Sequence, residues 1–409
     1  MITSPPLHVG IDATCWANDR GFGRFTRELV KALARRQSGV RYSLVFDQRP
    51  AADIPAGVEV LVAGSRRGLN SSAVGKSSRS ADYLLRMGAL AGRAKFDVFF
   101  FPAVYSYFPL LARTPCVVCY HDTIAERFPE LIFPTRMNHL LWQAKTALAR
   151  LQGRRAMTVS EASARDIEAL FHMPRRKIDV ITEAADPIFR VVTDAAAQAA
   201  ARARCGVAAE APLLVYVGGF NRHKNVAALL AAMPAVLARH PTAHLALVGS
   251  TTGAGFWDNA AELQALADLD PILRARVSFP GYLPDEALVH LLNSAEALVL
   301  PSLAEGFGLP AVEAMACGTP VLASRRGSLP EVVGEAGLFF DPEDPADIVR
   351  CLTEFLDDSS VWPCLAAAAR ARAALFSWDR AAELAEASFR RCHADARGRP
   401  AAALAVAAA

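Results

Sequence analysis

Short apolar runs alternate with amphipathic segments along most of the chain. Runs such as LHVGIDA, FDVFFF and LLVYVGG have the length and composition of buried strands, and helical patterns such as GRFTRELVKALARR separate them. Strands that alternate with helices form parallel sheets that are covered by helices. The pattern therefore predicts an α/β protein built from Rossmann-like parallel sheets.

The alternation is interrupted by the alanine-rich segment TDAAAQAAARARCGVAAEAP and then starts again. We therefore place a boundary near residues 187–211, with an N-terminal Rossmann-like domain over 1–190 and a C-terminal one over 208–375. A chain of 409 residues is also too long for one ordinary core. Beyond the second domain, the pattern predicts a helix at about 378–396 and a disordered, low-complexity tail over 397–409.

The composition is that of a globular protein without structural disulfides. The hydrophobic fraction is 53% and the charged fraction is 21%, and no unbroken apolar stretch of about 18 residues occurs. The N-terminus lacks a basic segment followed by a long apolar one, so no secretory signal is predicted. The eight cysteines have no framework spacing, and those of CVVC fall in an apolar strand. We therefore expect a reduced, cytoplasmic protein.

The net charge of +3 conceals an excess of basic residues in the first half. Residues 1–190 hold 27 Lys and Arg against 17 Asp and Glu, a net of +10, and the remainder holds 17 against 24, a net of −7. Surface variation between two domains is one explanation. The other is an anionic partner: a phosphate-bearing substrate, a lipid carrier, or the inner face of the cell membrane, contacted peripherally through the basic loop 64–80. No alternation of basic and aromatic residues suggests nucleic acid.

The most informative segment is EGFGLPAVEAMACG, which begins at Glu305 after the predicted strand ALVLPS. Gly306 and Gly308 let the backbone approach a ligand closely, and Gly318 ends the helix that follows. A helix N-terminus offers unpaired N–H groups and partial positive charge to a phosphate, and carboxylates accept hydrogen bonds from sugar hydroxyls. A phosphate at this helix end, between Glu305 and Glu313, indicates a sugar nucleotide. The alternative is an ordinary strand, turn and helix with two surface glutamates.

Polar residues also follow two other predicted strands. In GGFNRHKN, Gly219 frees the backbone, and Arg222 and Lys224 supply charges that match a diphosphate, unless the segment is a solvated turn. His121 ends the strand of VVCYHDT, where it could bond to a sugar hydroxyl or transfer a proton. A single histidine is nevertheless more often structural than catalytic.

Two further glycine-bearing segments could bind a phosphate. The turn RGFG, with Gly21 and Gly23, precedes a predicted helix and could close over a phosphate. NSSAVGKS, from Asn70 to Ser77, resembles a P-loop, but Asn70 stands where the first glycine belongs and no buried strand leads into it. We reject that site. The spacing of His, Cys and Asp matches no zinc motif, so no metal site is predicted.

These segments resemble the retaining glycosyltransferases of family 4, which have the GT-B fold, and their mannosyltransferase-like members in particular. The C-terminal half carries the resemblance in ALVLPSLAEGFGLPAVEAMACGTPVLAS, YVGGFNRHKN and VSFPGYLPDEAL, and the N-terminal half in GIDA, GFGRFTREL, YHDTIAERFPE and TVSEASARDI. The resemblance spans about His8 to Trp378. It implies two Rossmann-like domains that face each other across a cleft, with the helix at about 378–396 packed back on the first.

The resemblance also implies a role for each site residue. Glu305 would contact the hydroxyls of the transferred sugar, Glu313 the ribose, and His121 the sugar from the other domain. Arg222 and Lys224 would stabilise the leaving diphosphate. Similar sequences often have an adjacent Arg-Lys pair, whereas His223 separates the two here, so it is open which cation acts on the phosphate. The positions that would hold the sugar, the diphosphate and the base are Gly306, Phe307, Gly308, Leu309, Tyr282 and Leu283.

The expected activity is transfer of a hexose, with mannose favoured, from a nucleoside diphosphate sugar to an acceptor hydroxyl. The donor would be GDP-mannose or a UDP-hexose, and the acceptor a glycan or a lipid-linked molecule of glycan, polysaccharide or glycolipid biosynthesis. No cofactor is expected, because Arg, Lys and the helix end supply the positive charge. The alternatives are a sugar-nucleotide epimerase of the same fold and a non-catalytic sugar-nucleotide-binding protein. The oligomeric state is left open.

Overall fold

The computed structural model of this chain describes residues 6–18, 21–49, 54–64, 80–250 and 259–398. The chain divides into two compact units, the first made of Met1–Glu183 with Trp378–Ala409 and the second of Ala184–Ser377. Residues 184–190, which we expected in the first domain, therefore belong to the second. Of the expected tail, only Arg397 and Gly398 are described. Within the basic loop 64–80, residues 65–79 are not among the described residues.

The first unit contains a seven-stranded parallel sheet in the order β3-β2-β1-β4-β5-β6-β7. Its strands are β1 (His8–Asp12), β2 (Arg41–Phe46), β3 (Glu59–Val62), β4 (Val98–Phe101), β5 (Cys116–Cys119), β6 (Gly153–Thr158) and β7 (Ile178–Val180). The helices between them are α1 (Gly21–Arg35), α2 (Ala81–Arg93), α3 (Ile124–Arg127), α4 (Pro129–Ile132), α5 (Arg136–Gln152) and α6 (Glu161–Phe171).

The second unit contains a six-stranded parallel sheet in the order β10-β9-β8-β11-β12-β13. Its strands are β8 (Leu213–Val217), β9 (His244–Val248), β10 (Val277–Gly281), β11 (Ala297–Leu300), β12 (Val321–Ser324) and β13 (Gly337–Phe340). Its helices are α7 (Ala195–Arg204), α8 (Val226–Arg239), α9 (Ala260–Leu269), α10 (Pro271–Arg276), α11 (Asp285–Asn293), α12 (Leu309–Ala316), α13 (Leu329–Val333), α14 (Pro345–Asp357) and α15 (Trp362–Ala373). The predicted fold class, two Rossmann-like parallel-sheet domains, is confirmed.

Strand β4 carries the aromatic core of the first unit. All four of its residues are buried, as expected for a strand that is covered on both faces. The rings of Phe99 and Phe101 lie 4.9 Å apart, and Phe108, from the loop that follows, lies 5.1 Å from Phe101. Both contacts are edge to face, the arrangement that aromatic rings prefer. The apolar run FDVFFF therefore forms the buried strand that its composition predicts.

In both sheets the order in which strands are added reverses once. The first strand of each unit has the second strand on one side and the fourth on the other, so the chain crosses over between β1 and β4, and between β8 and β11. In open parallel sheets, loops at the carboxyl ends of two such strands diverge and leave a crevice for a ligand. In the second unit these are the loops that follow Val217 and Leu300.

The last helix, α16 (Trp378–Ala396), packs on the sheet of the first unit. Asp179 of β7 accepts hydrogen bonds from Arg155 Nε at 2.7 Å, Ser388 Oγ at 2.6 Å and Arg391 Nη2 at 2.8 Å. Burial alone would raise the pKa of Asp179, but these hydrogen bonds and the charges of the two arginines outweigh it, and the pKa is lowered. A buried ionic cluster therefore holds α16 against β6 and β7.

A second buried carboxylate fixes the other side of α16. Glu386 is 4% exposed and accepts hydrogen bonds from Tyr42 Oη at 2.6 Å and Ser38 Oγ at 2.5 Å. Arg36 Nε lies 3.1 Å from the other carboxylate oxygen. Helix α16 is thus tied to β2 and to the loop between α1 and β2 as well as to β6 and β7.

We predict that Asp179→Ala lowers the free energy of unfolding of the first unit by about 3–5 kcal/mol, because it leaves Arg155 buried without its main partner. Equilibrium urea unfolding checks this. Asp379→Ala, on the helix α16 that Asp179 contacts, is the matched control: its ion pair with Arg35 is exposed on both sides, so it should cost no more than about 1 kcal/mol. Equal effects of the two substitutions would contradict the prediction.

The same cluster predicts a pH dependence. A carboxylate whose pKa is lower in the folded than in the unfolded state contributes stability that is present above the unfolded pKa and lost as the pH falls through the folded pKa. The difference in unfolding free energy between wild type and Asp179→Ala should therefore be full at pH 7. It should shrink as the pH falls below about 4, the ordinary pKa of an aspartate.

Candidate functional site

The loops after β8 and β11 meet through a partly buried ion pair. Lys224 ends the 3₁₀ turn Arg222–Lys224 after β8, and Glu305 lies in the loop after β11. The Lys224 amine is 2.7 Å from Oε1 and 2.8 Å from Oε2 of Glu305. Because β8 and β11 are neighbours at the crossover of the sheet, two residues that are distant in sequence are brought together where a ligand is expected.

Glu305 is held as a carboxylate inside the protein. Its side chain is 9% exposed, and Ser302 Oγ donates a hydrogen bond of 2.7 Å to Oε1. Burial alone would raise the pKa of Glu305, but the charge of Lys224 and the hydrogen bonds from Lys224 and Ser302 outweigh it, and the pKa is lowered. Ser302 is a supporting residue that sequence reasoning missed, although it stands three positions before the glutamate.

The backbone of the glutamate loop rests on the start of α13. Ser328 Oγ donates to the carbonyl oxygens of Glu305, at 3.1 Å, and of Phe307, at 2.8 Å. Gly308 has a φ of +93°, a backbone conformation that favours glycine, and a Cβ there would lie 2.8 Å from Leu329 Cδ2, which would have to move. This support comes from residues about twenty positions further along the chain, which no local motif could indicate.

Helix α12 begins directly after this loop, as the turn chemistry predicts. It starts at Leu309, has Pro310 in its first turn and is followed by Gly318 at a φ of +82°. Glu313, in its second turn, is 4% exposed, and Phe307 before the helix is buried against the ring of Phe376. The strand, glycine-bearing loop and helix N-terminus are therefore arranged as the phosphate-site hypothesis requires.

The two cations of the β8 loop differ in their surroundings. Arg222 is exposed, and its guanidinium forms no ion pair with any residue that the structure describes, whereas Lys224 is engaged by Glu305. Burial, followed by the charge of Lys224, lowers the pKa of His223 between them to about 4, so this histidine is neutral at pH 7. The carbonyl of His223 accepts a hydrogen bond of 2.8 Å from Leu303, which joins the two loops.

The expected base-binding residues lie at the same edge of the sheet. Tyr282 and Leu283 follow β10, and Gly219 follows β8, so all three stand at carboxyl ends of parallel strands. Tyr282 is 60% exposed and Leu283 is buried. An exposed aromatic ring at this edge can stack on a nucleobase, but its contact with one stays a prediction.

In the first unit, His121 lies at the carboxyl end of β5 with both ring nitrogens engaged. Nε2 is 2.9 Å from the carbonyl of Pro102, and Nδ1 is 3.3 Å from Glu183 Oε1. Burial alone would lower the pKa of His121, but its interactions with Cys119 and Glu183 outweigh it, and the pKa is raised. The ring also meets the edge of Phe25 at 4.7 Å. These contacts give His121 a structural role, and its contact with a sugar stays a prediction.

Gly21 and Gly23 form the first turn of α1. A Cβ at Gly23 would lie 2.0 Å from the carbonyl oxygen of Asn18, so close packing of the preceding turn explains this glycine without a ligand. A Cβ at Gly21 would meet nothing within 4 Å. Arg20, the other charged member of the RGFG turn, lies outside the described residues, as does the rejected P-loop-like segment.

The described part of the chain contains neither a candidate metal site nor a membrane-spanning helix. No group of three or more His, Cys, Asp or Glu there is placed to hold a metal ion, and no helix there has the length and hydropathy to cross a membrane. All eight cysteines are unpaired. A shallow cavity of about 370 Å³ lies before β4 and β5, at the amino ends of the strands, and includes none of the candidate site residues.

Two family models match the chain. The model described as Glycosyltransferase Family 4 matches residues 20–187, and the model described as Glycosyl transferases group 1 matches residues 198–373. Each match covers most of one structural unit, and the second contains both glutamates and both cations of the candidate site.

Curated relatives share shorter stretches. The chain is 38% identical over 186 residues to a D-inositol 3-phosphate glycosyltransferase of Corynebacterium jeikeium, covering 44% of this chain and 44% of that protein. It is 43% identical over 126 residues to the serotype-specific mannosyltransferase WbdA of Escherichia coli, covering 31% of this chain and 16% of that protein. The chain thus matches less than half the length of either relative.

A solved structure shares the fold across nearly the whole chain. HepE of Anabaena, solved in complex with UDP and glucose, superposes with a TM-score of 0.71 at 19% sequence identity and covers 94% of this chain and 99% of that chain. At this identity the likeness shows a common fold.

We predict that Lys224 and Glu305 stabilise the second unit as a coupled pair. Lys224→Met leaves a buried carboxylate without its cation and should cost about 3–5 kcal/mol of unfolding free energy. The double variant Lys224→Met/Glu305→Gln should cost clearly less than the sum of the single variants, because it leaves no unpaired charge. Urea unfolding of all three variants measures this coupling.

The exposed pair Arg239–Asp357 of the same unit is the control cycle. Arg239→Met and Asp357→Asn should each change stability by less than about 1 kcal/mol and should be nearly additive. Additive effects at Lys224 and Glu305 as well would mean that the two side chains are not paired in solution.

Proposed function

Because this chain belongs to the family 4 glycosyltransferases and has their GT-B fold, we propose that it transfers a hexose from a nucleoside diphosphate sugar to an acceptor hydroxyl, with retention of the anomeric configuration. The observation that carries the proposal is the partly buried Lys224–Glu305 pair at the crossover of the sheet, next to the N-terminus of α12. An ionised carboxylate, a helix end and two cations within two neighbouring loops match the chemistry of a sugar diphosphate.

In this proposal the donor lies along the carboxyl edge of the second sheet. The N–H groups at Phe307, Gly308 and Leu309 bind the sugar and the diphosphate, and Glu305 accepts hydrogen bonds from the hydroxyls of the transferred sugar. Glu313 binds the ribose. Tyr282 and Leu283 contact the base, and Gly306 and Gly219 allow the ligand to approach the backbone. In the first unit, His121 contacts the sugar, and Gly21 and Gly23 lie near the phosphates.

The surroundings of the two cations support a division of labour. Lys224 donates to both oxygens of Glu305, so its main role would be to keep that carboxylate ionised and oriented. Arg222 is exposed and forms no ion pair in the described part of the chain, so its forked guanidinium is available to the diphosphate. We therefore assign the stabilisation of the leaving group mainly to Arg222.

The reaction proposed is departure of the nucleoside diphosphate, which leaves an oxocarbenium-like sugar. Arg222 and the N–H groups of α12 stabilise the growing negative charge on the phosphate. The acceptor hydroxyl attacks from the face of the leaving group and gives its proton to the departing phosphate. The C–O bond to the phosphate breaks, a C–O bond to the acceptor forms, and the configuration at the anomeric carbon is retained.

The donor is proposed to be GDP-mannose or a UDP-hexose. Similarity to a mannosyltransferase over 126 residues favours mannose, and the fold shared with a protein solved with UDP and glucose supports a UDP-hexose. The acceptor is proposed to be a glycan or a lipid-linked molecule.

We expect Glu305→Gln to lower kcat by about 10²–10³-fold, because a neutral amide accepts hydrogen bonds from the sugar hydroxyls less strongly than a carboxylate does. Transfer of labelled sugar from GDP-mannose and UDP-glucose measures this, at a temperature where the variant is folded by circular dichroism. Glu286→Gln, at an exposed residue of α11, is the matched control and should retain full activity. Near-normal turnover by Glu305→Gln would overturn the assignment, and conversion of the donor without an acceptor would indicate an epimerase.

We expect Arg222→Gln to leave the unfolding temperature unchanged, because its side chain is exposed, and to weaken donor binding and turnover together. A ligand that binds the folded state raises the apparent stability by about 2.7 kcal/mol at a concentration one hundred times its Kd. The wild type should therefore be stabilised by GDP-mannose or UDP-glucose, and Arg222→Gln much less so.

The control for Arg222→Gln is Arg239→Gln, at another exposed arginine of the second unit. It should respond to the donor as the wild type does. If Arg222→Gln were stabilised by the donor and turned it over as the wild type does, we would assign the contact with the diphosphate to Lys224 instead. No stabilisation of the wild type by either donor would argue for a different ligand.

A further inference from the structure

Helix α5 of the first unit presents a row of large apolar side chains to solvent. Its outward face, which we call the α5 face, consists of Met137, Leu140, Leu141, Leu148 and Leu151, which are 63%, 57%, 57%, 47% and 82% exposed. Together with the exposed Ala144, residues 137, 141, 144, 148 and 151 recur at intervals of four and three, which places them on one side of a helix. A single exposed leucine needs no explanation, but a continuous row does.

In the described part of the chain, α5 packs on its neighbours through its opposite side. Trp142 donates a hydrogen bond of 2.7 Å to Glu126, and its ring lies 5.1 Å from that of Tyr105. Thr146 and Ala149 are buried. The inward side therefore accounts for the position of the helix, and the α5 face contributes nothing to the core of the unit.

The charged residues of α5 itself and of the loop beside its end are all basic. Residues 131–160 contain five basic residues and no Asp or Glu, in a chain with 41 acidic residues. Residues 98–121 also lack an acidic residue and include Leu111, which is 58% exposed, and the exposed Arg113. The side chain of Gln152, at the end of α5, bonds to both the N–H and the carbonyl of Leu110 at 3.0 Å, so this second segment lies beside the helix.

The exposed cations lie at the edges of the face. Arg136 precedes Met137 at one end of α5, and Arg113 and Arg154 lie near the other end, all three exposed. Lys145 and Arg150 turn inward, where Lys145 bonds to the carbonyl of Tyr105 and Arg150 lies over the ring of Phe171. The middle of the face is thus apolar and its ends are positively charged.

We infer that the α5 face docks on an anionic lipid surface, with the leucines in the acyl boundary and the arginines at the headgroups. Helices that lie in a membrane interface have this combination of an apolar face and cationic edges, and each basic residue near an anionic surface adds attraction. A second copy of this chain would bring arginines against arginines. A face formed by a single helix offers a partner helix no groove, whereas a fluid apolar layer can enclose its side chains. The inference does not depend on the donor chemistry.

Co-sedimentation of the full chain with vesicles tests the inference without any sugar donor. The wild type should bind vesicles of equal parts phosphatidylglycerol and phosphatidylcholine, and not vesicles of phosphatidylcholine alone. Leu148→Gln/Leu151→Gln should lower the partition coefficient on the order of tenfold or more, because two leucines no longer enter the acyl layer. Leu269→Gln is the matched control: Leu269 ends α9 in the second unit and is 82% exposed, as Leu151 is. It should bind as the wild type does.

The outcomes are distinguishable. Circular dichroism melting should give the same midpoint for all variants, since the changed side chains face outward. A wild type that stays in the supernatant with phosphatidylglycerol vesicles, or a double variant that binds as well as the wild type, overturns the inference. A dimeric wild type and a monomeric double variant in light scattering, without vesicle binding, would assign the face to a second copy. Failure of donor binding would leave the vesicle result unaffected.

Discussion

A charge that is withdrawn from water must keep a partner, and this requirement shapes both units. In the second unit, Glu305 loses its water at the crossover of the sheet and regains interactions from Lys224 and Ser302. In the first unit, the carboxylates of Asp179 and Glu386 replace their lost water with hydrogen bonds from the arginines, serines and tyrosine around them. These hydrogen bonds hold α16 on the sheet. The desolvation penalty makes each of these carboxylates dependent on partners from other elements. The site and the attachment of the last helix therefore rest on the same physical principle.

The sequence predicted those features in which structure and chemistry are local. The run from Glu305 to Gly318 contains a loop, a helix start, a proline in the first turn and a terminating glycine, so its residues alone specify a strand, turn and helix. The alternation of apolar runs and helices predicted parallel sheets, and parallel sheets place their loops at one edge. The pairing of Lys224 with Glu305 was not predicted, because it depends on which strands are neighbours in the sheet.

What could not be predicted depends on contacts between distant elements. Ser328 supports the glutamate loop from more than twenty residues further along the chain. Glu183, which follows β7, contacts His121, which follows β5. The missing Cβ of Gly23 makes room for the carbonyl of Asn18, a packing contact that the sequence of the turn does not reveal. In α5 the residues LLWQAKTALARL are apolar on several sides, so only the structure shows that Trp142 points inward and Leu141 outward. The local sequence pattern thus predicts that α5 is a helix, whereas tertiary packing decides which side of this helix is exposed.

The titratable groups that we propose for the site bear on where the acceptor's proton would go. Burial and the charge of Lys224 lower the pKa of His223 to about 4, which makes it a weak base at pH 7. The pKa of Glu305 is also lowered, so this carboxylate holds a proton poorly. His121 has a raised pKa but directs its nitrogens at Glu183 and at the carbonyl of Pro102, which favours the charged ring and leaves no lone pair for an incoming proton. Each of these three side chains is thus disfavoured as the base. The departing phosphate gains basicity as its bond to the sugar lengthens, and this is the physical reason to assign the proton to it.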